Sequence, residues 1–291
     1  MKLDKKIKEF TIENLIFISG ILTIIFVVLI FIFLFKEGIL FLKVYPIIDF
    51  LFGKLWYPIS DPAKFGILPL ILGSLLVTLG ATVISVPLGI ASAFYISEIA
   101  PGKLRDILKY LIELLAAIPS VVIGFVGMIT LIPLIKNIFH IPTGLTALSG
   151  SITLAFMAIP TIVSIAEDAI TSVPKSYREA SIALGATKWQ TMYRVTIRAA
   201  LPGIIAAIML GIGRVIGETM AVMMITGNSA VIPQTFLQPI RTMTATIAAE
   251  MGETVRGSNH YYALFAIGVV LFAITFVINF LADTFLNKVK K

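Results

Sequence analysis

The chain has 291 residues, 58% of them hydrophobic and 13% charged, and its mean hydropathy is +1.00. Water-soluble domains carry about 25% charged residues, so this composition belongs to a bilayer and excludes a large water-soluble core. The formal charge of +7 comes from lysines and arginines flanking apolar runs, which points to orientation in a membrane rather than to nucleic acid. Two histidines and no cysteine exclude disulfides, thiolate zinc sites and a cysteine nucleophile.

At about 1.5 Å per residue, about 20 apolar residues cross a hydrocarbon layer of about 30 Å. On that rule the chain is all-α and polytopic, with six spanning helices predicted at about 15–35, 67–96, 107–135, 148–167, 201–227 and 260–286. The first follows a basic start, MKLDKKIKEF. It is too long for a signal-peptide core and has no small-residue cleavage site after it, so an uncleaved helix is expected. Pro87, Pro119 and Pro160 fall inside predicted spans, where each removes a backbone hydrogen bond and is expected to kink its helix. With both termini inside, fifteen lysines and arginines lie on inner segments or span ends and seven on outer ones, with Arg214 left inside the membrane. That bias predicts cytoplasmic termini in a cell membrane.

In the outer loop 36–66, Trp56 and Tyr57 read as interfacial anchors. Near the inner end of the third span, Lys109 and Glu113 have the spacing of a surface pair. The long inner loop, 168–200, reads as helix, turn, helix. Pro174 suits a first helical position, and Tyr177, Ala180, Ser181 and Leu184 share a face with small residues at its centre. Gly185 stands where a left-handed cap is wanted, and Thr187 with Gln190 forms a capping box. Such a helix fits either docking to another protein or rest on the inner leaflet, helped by Lys175 and Arg178.

The fifth span contains GIGRVIGETM at 211–220. Arg214 is 13 residues beyond Leu201, about 20 Å along a helix and near the midplane. A charge there costs roughly 2.5–3.5 kcal/mol on insertion scales unless it faces protein or water. The four-residue spacing puts Glu218 on the same helical face, where the two can pair. A buried ion pair fixing helix packing and a pathway site both fit, and Gly213 with Gly217 adds a G-x-x-x-G close-packing face. In the outer loop 228–259, the run RTMTATIAAEMGET predicts a short surface helix, with Glu250 and Glu253 facing solvent or a partner. Neither histidine has metal-ligand company.

The stretch EASIALGATKWQTMYRVTI resembles the EAA loop of ABC-importer permeases. Glu179, Ala180 and Ser181 fill its first part and Gly185 its glycine, while Arg198 stands where a proline is usual. FGILPLILGSLLVTLGATVISVPLGIASAFYISEIAP at 65–101, IELLAAIPSVVIGFVG at 112–127, GIGRVIGETMAVMMITGN at 211–228 and TATIAAEMGE at 244–253 are similar to the permeases of phosphate-specific (Pst) ABC importers, and to the PstC-type subunit in particular. The likeness covers 65–270 with few gaps, and residues 1–64 only in outline.

The resemblance implies a type I importer permease (MetI-like) fold, with 1–64 an N-terminal helix and outer loop and 65–291 the permease core. It implies a homologous PstA-type permease beside the chain, a cytoplasmic PstB-type ATPase dimer seated on Glu179, Ala180 and Gly185, an extracellular PstS-type phosphate-binding protein, and no cofactor. It also assigns the phosphate path to Arg214 and Glu218. There, an arginine fork would neutralise phosphate, and the glutamate would orient it and compete it off. The chain carries no G-x-x-x-x-G-K-[ST] and no H-E-x-x-H, so ATP hydrolysis is expected of a partner and no enzymatic site here. A sulfate or molybdate permease would share the loop, a gradient-driven transporter would leave it without a purpose, and a scaffold would need neither charge.

Overall fold

The computed structural model describes the backbone of residues 2–289 and the side chains of residues 12–281 and 284. Helix α1 (Lys2–Val44) is followed by α2 (Ile47–Phe52) and by a short hairpin of β1 (Trp56–Tyr57) and β2 (Lys64–Phe65). Next come α3 (Leu68–Phe94), a π turn (Tyr95–Ile99), α4 (Gly102–Ala117), α5 (Ser120–Phe139) and α6 (Ala147–Thr171). Helices α7 (Lys175–Ala183) and α8 (Lys188–Thr191) lead through a second π turn (Met192–Thr196) into α9 (Ile197–Gly217). Helices α10 (Met220–Ile225), α11 (Met243–Glu250) and α12 (Asn259–Val289) complete the chain. Six helical stretches among the described residues are long and apolar enough to cross a bilayer: 12–44, 68–99, 120–139, 147–171, 188–217 and 259–281.

Three expectations are corrected. The third span is α5 alone. Ile118, pushed to extended backbone by the following proline, separates it from α4, and Pro119 caps α5 instead of kinking a longer helix. Helix α4 is amphipathic with no buried residue, as suits a helix lying along the bundle's end. The fifth span ends at Gly217, because Glu218 is extended (φ −70°, ψ 133°). The outer loop 36–66 is partly helical, since α1 continues to Val44.

Helix α6 forms the centre and is buried along most of its length. In lipid, helices associate by close packing rather than by escape from water. Ile162 shows how that packing is reached. A methyl group at Gly89 of α3 or at Gly211 of α9 would collide with its side chain, so both helices approach α6 through a missing Cβ. Val77, Ala81, Leu154, Met157, Ala158 and Val215 continue this core. A second core joins the end of α1 to α12: Phe41, Phe50, Trp56 and Phe65 pack against Ala263, Leu264 and Ile267.

The predicted surface helix near Met243 exists as α11 but lies inside. Met243, Thr244, Ala245 and Thr246 are all buried. Thr242 caps it, accepting the Ala245 amide at 3.2 Å, and Ser74 of α3 accepts the Met243 amide at 2.9 Å. These bonds satisfy first-turn donors that would otherwise be buried without partners.

Candidate functional site

Helix α9 ends where the Thr244 hydroxyl donates to the Glu218 carbonyl at 2.9 Å. The Glu218 carboxylate then accepts the Ala221 amide at 3.2 Å, supporting the start of α10. The extended backbone at Glu218 breaks the helix and moves Glu218 off the α9 face it was expected to share with Arg214. Among the described residues the two form no ion pair, which corrects the expected pairing.

Arg214 instead donates from Nη1 to Thr161 Oγ1 at 3.1 Å. Thr161 lies near the middle of α6, so the guanidinium sits mid-bundle. It is exposed on the open side of this chain. Gly213 and Gly217 flank it, and nothing in the chain comes near the Cβ position of either. Glu218 is half-buried and lines a small internal cavity with Ser74, Thr78, Thr242 and Thr244. The two charges therefore serve different faces of one junction. Thr219, Thr226 and Asn228 each bond only to nearby backbone.

The helix–turn–helix of 168–200 forms as expected. Pro174 is the N-cap of α7, one residue before its first turn. Gly185 takes φ +84°, a left-handed conformation that costs a Cβ-bearing residue energy. Thr187 Oγ1 accepts the Gln190 amide at 3.2 Å while Gln190 Oε1 accepts the Thr187 amide at 2.9 Å, closing the capping box. Glu179, Ala180 and Gly185 are exposed, and Tyr177, Leu184, Trp189 and Tyr193 add a large apolar surface around them. An apolar platform of rigid aromatic side chains with small residues at its centre is suited to receive another protein.

Two clusters escape sequence reasoning. Trp56, expected at the interface, is 2% exposed and donates from Nε1 to both Glu250 oxygens at 3.1 and 3.2 Å. Arg241 reaches Glu250 Oε1 at 2.6 Å and His260 reaches Oε2 at 2.8 Å, so Glu250 ties the hairpin, α11 and α12 together. This hub lines an open cavity of about 960 Å³ with Tyr57, Asn228 and Glu253. No group of metal-ligating side chains occurs among the described residues.

At the opposite end, Glu167 of α6 is 3% exposed and is clasped by Arg105 at 2.6 Å and Lys109 at 2.9 Å from α4. Lys109 pairs with Glu167 and Asp168 rather than with Glu113. The hydrogen bonds it donates to Glu167 and then to Asp168 hold its ammonium above the usual lysine range. No sequence spacing signals these pairs, whose members are 62 and 58 residues apart.

Residues 85–291 match the family described as "Binding-protein-dependent transport system inner membrane component". The chain is 44% identical over 230 residues to a probable ABC transporter permease protein, YqgH, of Bacillus subtilis, covering 79% of this chain and 74% of that one. It is 36% identical over 260 residues to the phosphate transport system permease protein PstC of Mesorhizobium japonicum, covering 83% and 79%. With a probable PstC of Methanocaldococcus jannaschii it shares 31% identity over 99% of this chain and 96% of that one. Among solved structures, the inward-facing MetNI methionine ABC transporter superposes with TM-score 0.58 at 20% identity, over 77% of this chain and 98% of that one. A bacterial ABC transporter importing alginate gives TM-score 0.58 at 16% identity, over 77% and 80%.

Proposed function

Since the chain belongs to the family of binding-protein-dependent transport system inner membrane components, we propose that it is the permease subunit of an ATP-driven importer of inorganic phosphate. Its fold is that of ABC importer permeases, all-α and multi-pass, and such chains are transport components rather than enzymes. The relatives named PstC support phosphate as the substrate.

Arg214 carries the reading. Its guanidinium stands mid-bundle on the open face of an apolar helix, with a hydroxyl rather than a carboxylate as partner. Its charge is therefore available to an anion, and a planar fork of donors fits phosphate oxygens in pairs. A homologous PstA-type permease covers this open face, and the phosphate path runs between the two chains. Arg214 neutralises the anion. Glu218, one backbone break away, approaches when the α9–α10 junction shifts and competes the anion off.

At the other end, a PstB-type ATPase dimer takes the α7–α8 platform, with Glu179, Ala180 and Gly185 at its centre. The basic excess on that side supports a cytoplasmic placement of the platform and of both termini. A PstS-type phosphate-binding protein delivers the ion to the outer end, where α11 lies.

The test is phosphate uptake by vesicles carrying the full assembly, with Arg214→Gln beside wild type. Loss of a charge-assisted bond worth roughly 1.5–3 kcal/mol is expected to cut uptake at least about tenfold while all subunits still copurify. Unchanged uptake, or loss that follows failed assembly, overturns the path role. Uptake of sulfate in preference to phosphate overturns the substrate.

A further inference from the structure

Helix α7 has no buried residue, so apolar packing does not fix it to the bundle. Its attachment is polar and centres on Arg178. The Arg178 Nη2 lies 2.7 Å from Glu98 Oε1 and donates to the Ile170 carbonyl at 3.1 Å. A hydroxyl contact of 3.0 Å between Ser181 and Thr191 secures the same face one turn further on. Glu98 belongs to the π turn that continues α3, and Ile170 to the last turn of α6. One guanidinium thus joins three elements: the exposed helix, the end of α3 and the end of the central helix α6.

The Glu98 side chain is 11% exposed and that of Arg178 28%, so water does little to weaken the pair. Arg178 Nε and Glu98 Oε1 are both buried without an aligned hydrogen bond. The two groups meet as opposite charges, out of line for the hydrogen bond. A small rotation of α7 would change that alignment, which makes the contact sensitive to the angle of α7 against α3. The π turn contributes directly. Its wider backbone bond, from the Ala100 amide to the Tyr95 carbonyl at 2.9 Å, lies at the end of α3 that carries Glu98.

We propose that the Arg178–Glu98 pair is a strut that carries movement of α7 into α3, making both residues positioning residues for coupled transport. It rests on the reading of α7 as the ATPase-docking helix and adds to that reading the route from docking surface to membrane helix. Glu179 and its neighbours face the partner. Arg178, one residue earlier on the inner face, converts the partner's displacement into displacement of α3, which packs along α6 beside the Arg214–Thr161 contact.

The experiment uses the full assembly in vesicles. In Glu98→Gln and Arg178→Gln, the ATPase still copurifies and hydrolyses ATP, and the ATP consumed per anion imported rises at least about tenfold, as for losing a coupling of about 1.4 kcal/mol. The exchange Glu98→Arg with Arg178→Glu restores at least part of that ratio. An unchanged ratio, loss of copurification, or an exchange no better than the single changes overturns the strut.

A second readout is independent of substrate. The chain has no cysteine, so spin labels at Ser176→Cys and Ile99→Cys, both exposed positions, report the α7–α3 distance. On ATP binding the distance distribution stays narrow with Glu98 present and broadens in Glu98→Gln; equal distributions overturn the proposal. Should wild-type vesicles import no phosphate, the substrate reading fails, while the labels still test the strut.

Discussion

Arg214 and Thr161 are joined by a hydrogen bond of 3.1 Å from the end of α9 to the middle of α6. This bond replaces the ion pair that the spacing of Arg214 and Glu218 suggests. Glu218 lies beyond the helix end, with its carbonyl taken by Thr244 and its carboxylate by Ala221. Each charge has its own support, so the two can be changed separately.

Glu218→Gln keeps an oxygen to accept the Ala221 amide. Its folding stability is expected to stay within roughly 0.5 kcal/mol of wild type. Glu218→Ala loses the bond, and about 1 kcal/mol with it. If the carboxylate charge competes phosphate off Arg214, both variants transport slowly. Wild-type uptake by Glu218→Gln would reduce Glu218 to a cap for α10. Thermal midpoints in detergent, measured beside uptake, separate the two effects.

At Gly185 the backbone is left-handed, at φ +84°, and nothing else lies within 4 Å of a Cβ placed there. A substitution therefore meets only its own backbone strain, about 1–2 kcal/mol for most residues and less for Asn. Gly185→Asn is expected to keep most ATPase copurification, Gly185→Ala less and Gly185→Val least. Equal loss in all three would mean that the partner needs the open space rather than the turn.

Glu250 accepts from Trp56, Arg241 and His260 at once. Glu250→Ala leaves Arg241 and the indole without their acceptor, and is expected to cost roughly 2–4 kcal/mol. Trp56→Phe removes one donor and keeps the ring's packing, so about 1 kcal/mol is expected. Heat unfolding in detergent, followed by the loss of helical circular dichroism that both variants share, checks the order of the two.

Local signals are legible in the sequence. The capping box of Thr187 and Gln190 and the left-handed Gly185 depend on residues within one turn, and the length of apolar runs gave the spanning helices. The misreadings share a different cause. Glu218 breaks its helix because Thr244, from a distant segment, takes its carbonyl. Trp56 is buried because Glu250, 194 residues on, gives its N–H a partner. Helix α11 carries two threonines but lies inside, because their hydroxyls bond to its own turns and to Glu218. Only at Ile118–Pro119 did a local cue exist, the extended bias before proline. A continuous apolar run masked it.

The clasp on Glu167 predicts an asymmetry that a surface salt bridge would not show. The carboxylate is 3% exposed, whereas Arg105 and Lys109 are 31% and 40% exposed. Removing the carboxylate with Glu167→Gln frees two cations that can turn to water, so about 1 kcal/mol is expected. Removing both cations with Arg105→Gln and Lys109→Gln strands a buried charge, and roughly 3–5 kcal/mol is expected. The double variant should also free α4, raising amide exchange across 102–117. Lys109 is held above its usual range in the folded chain, so its contribution is complete below that range and is lost only as alkaline pH passes its raised value. The ordering of the variants is therefore expected to hold unchanged across neutral pH. Equal destabilisation by the single and double changes would show that Glu167 is not buried in the membrane-embedded protein.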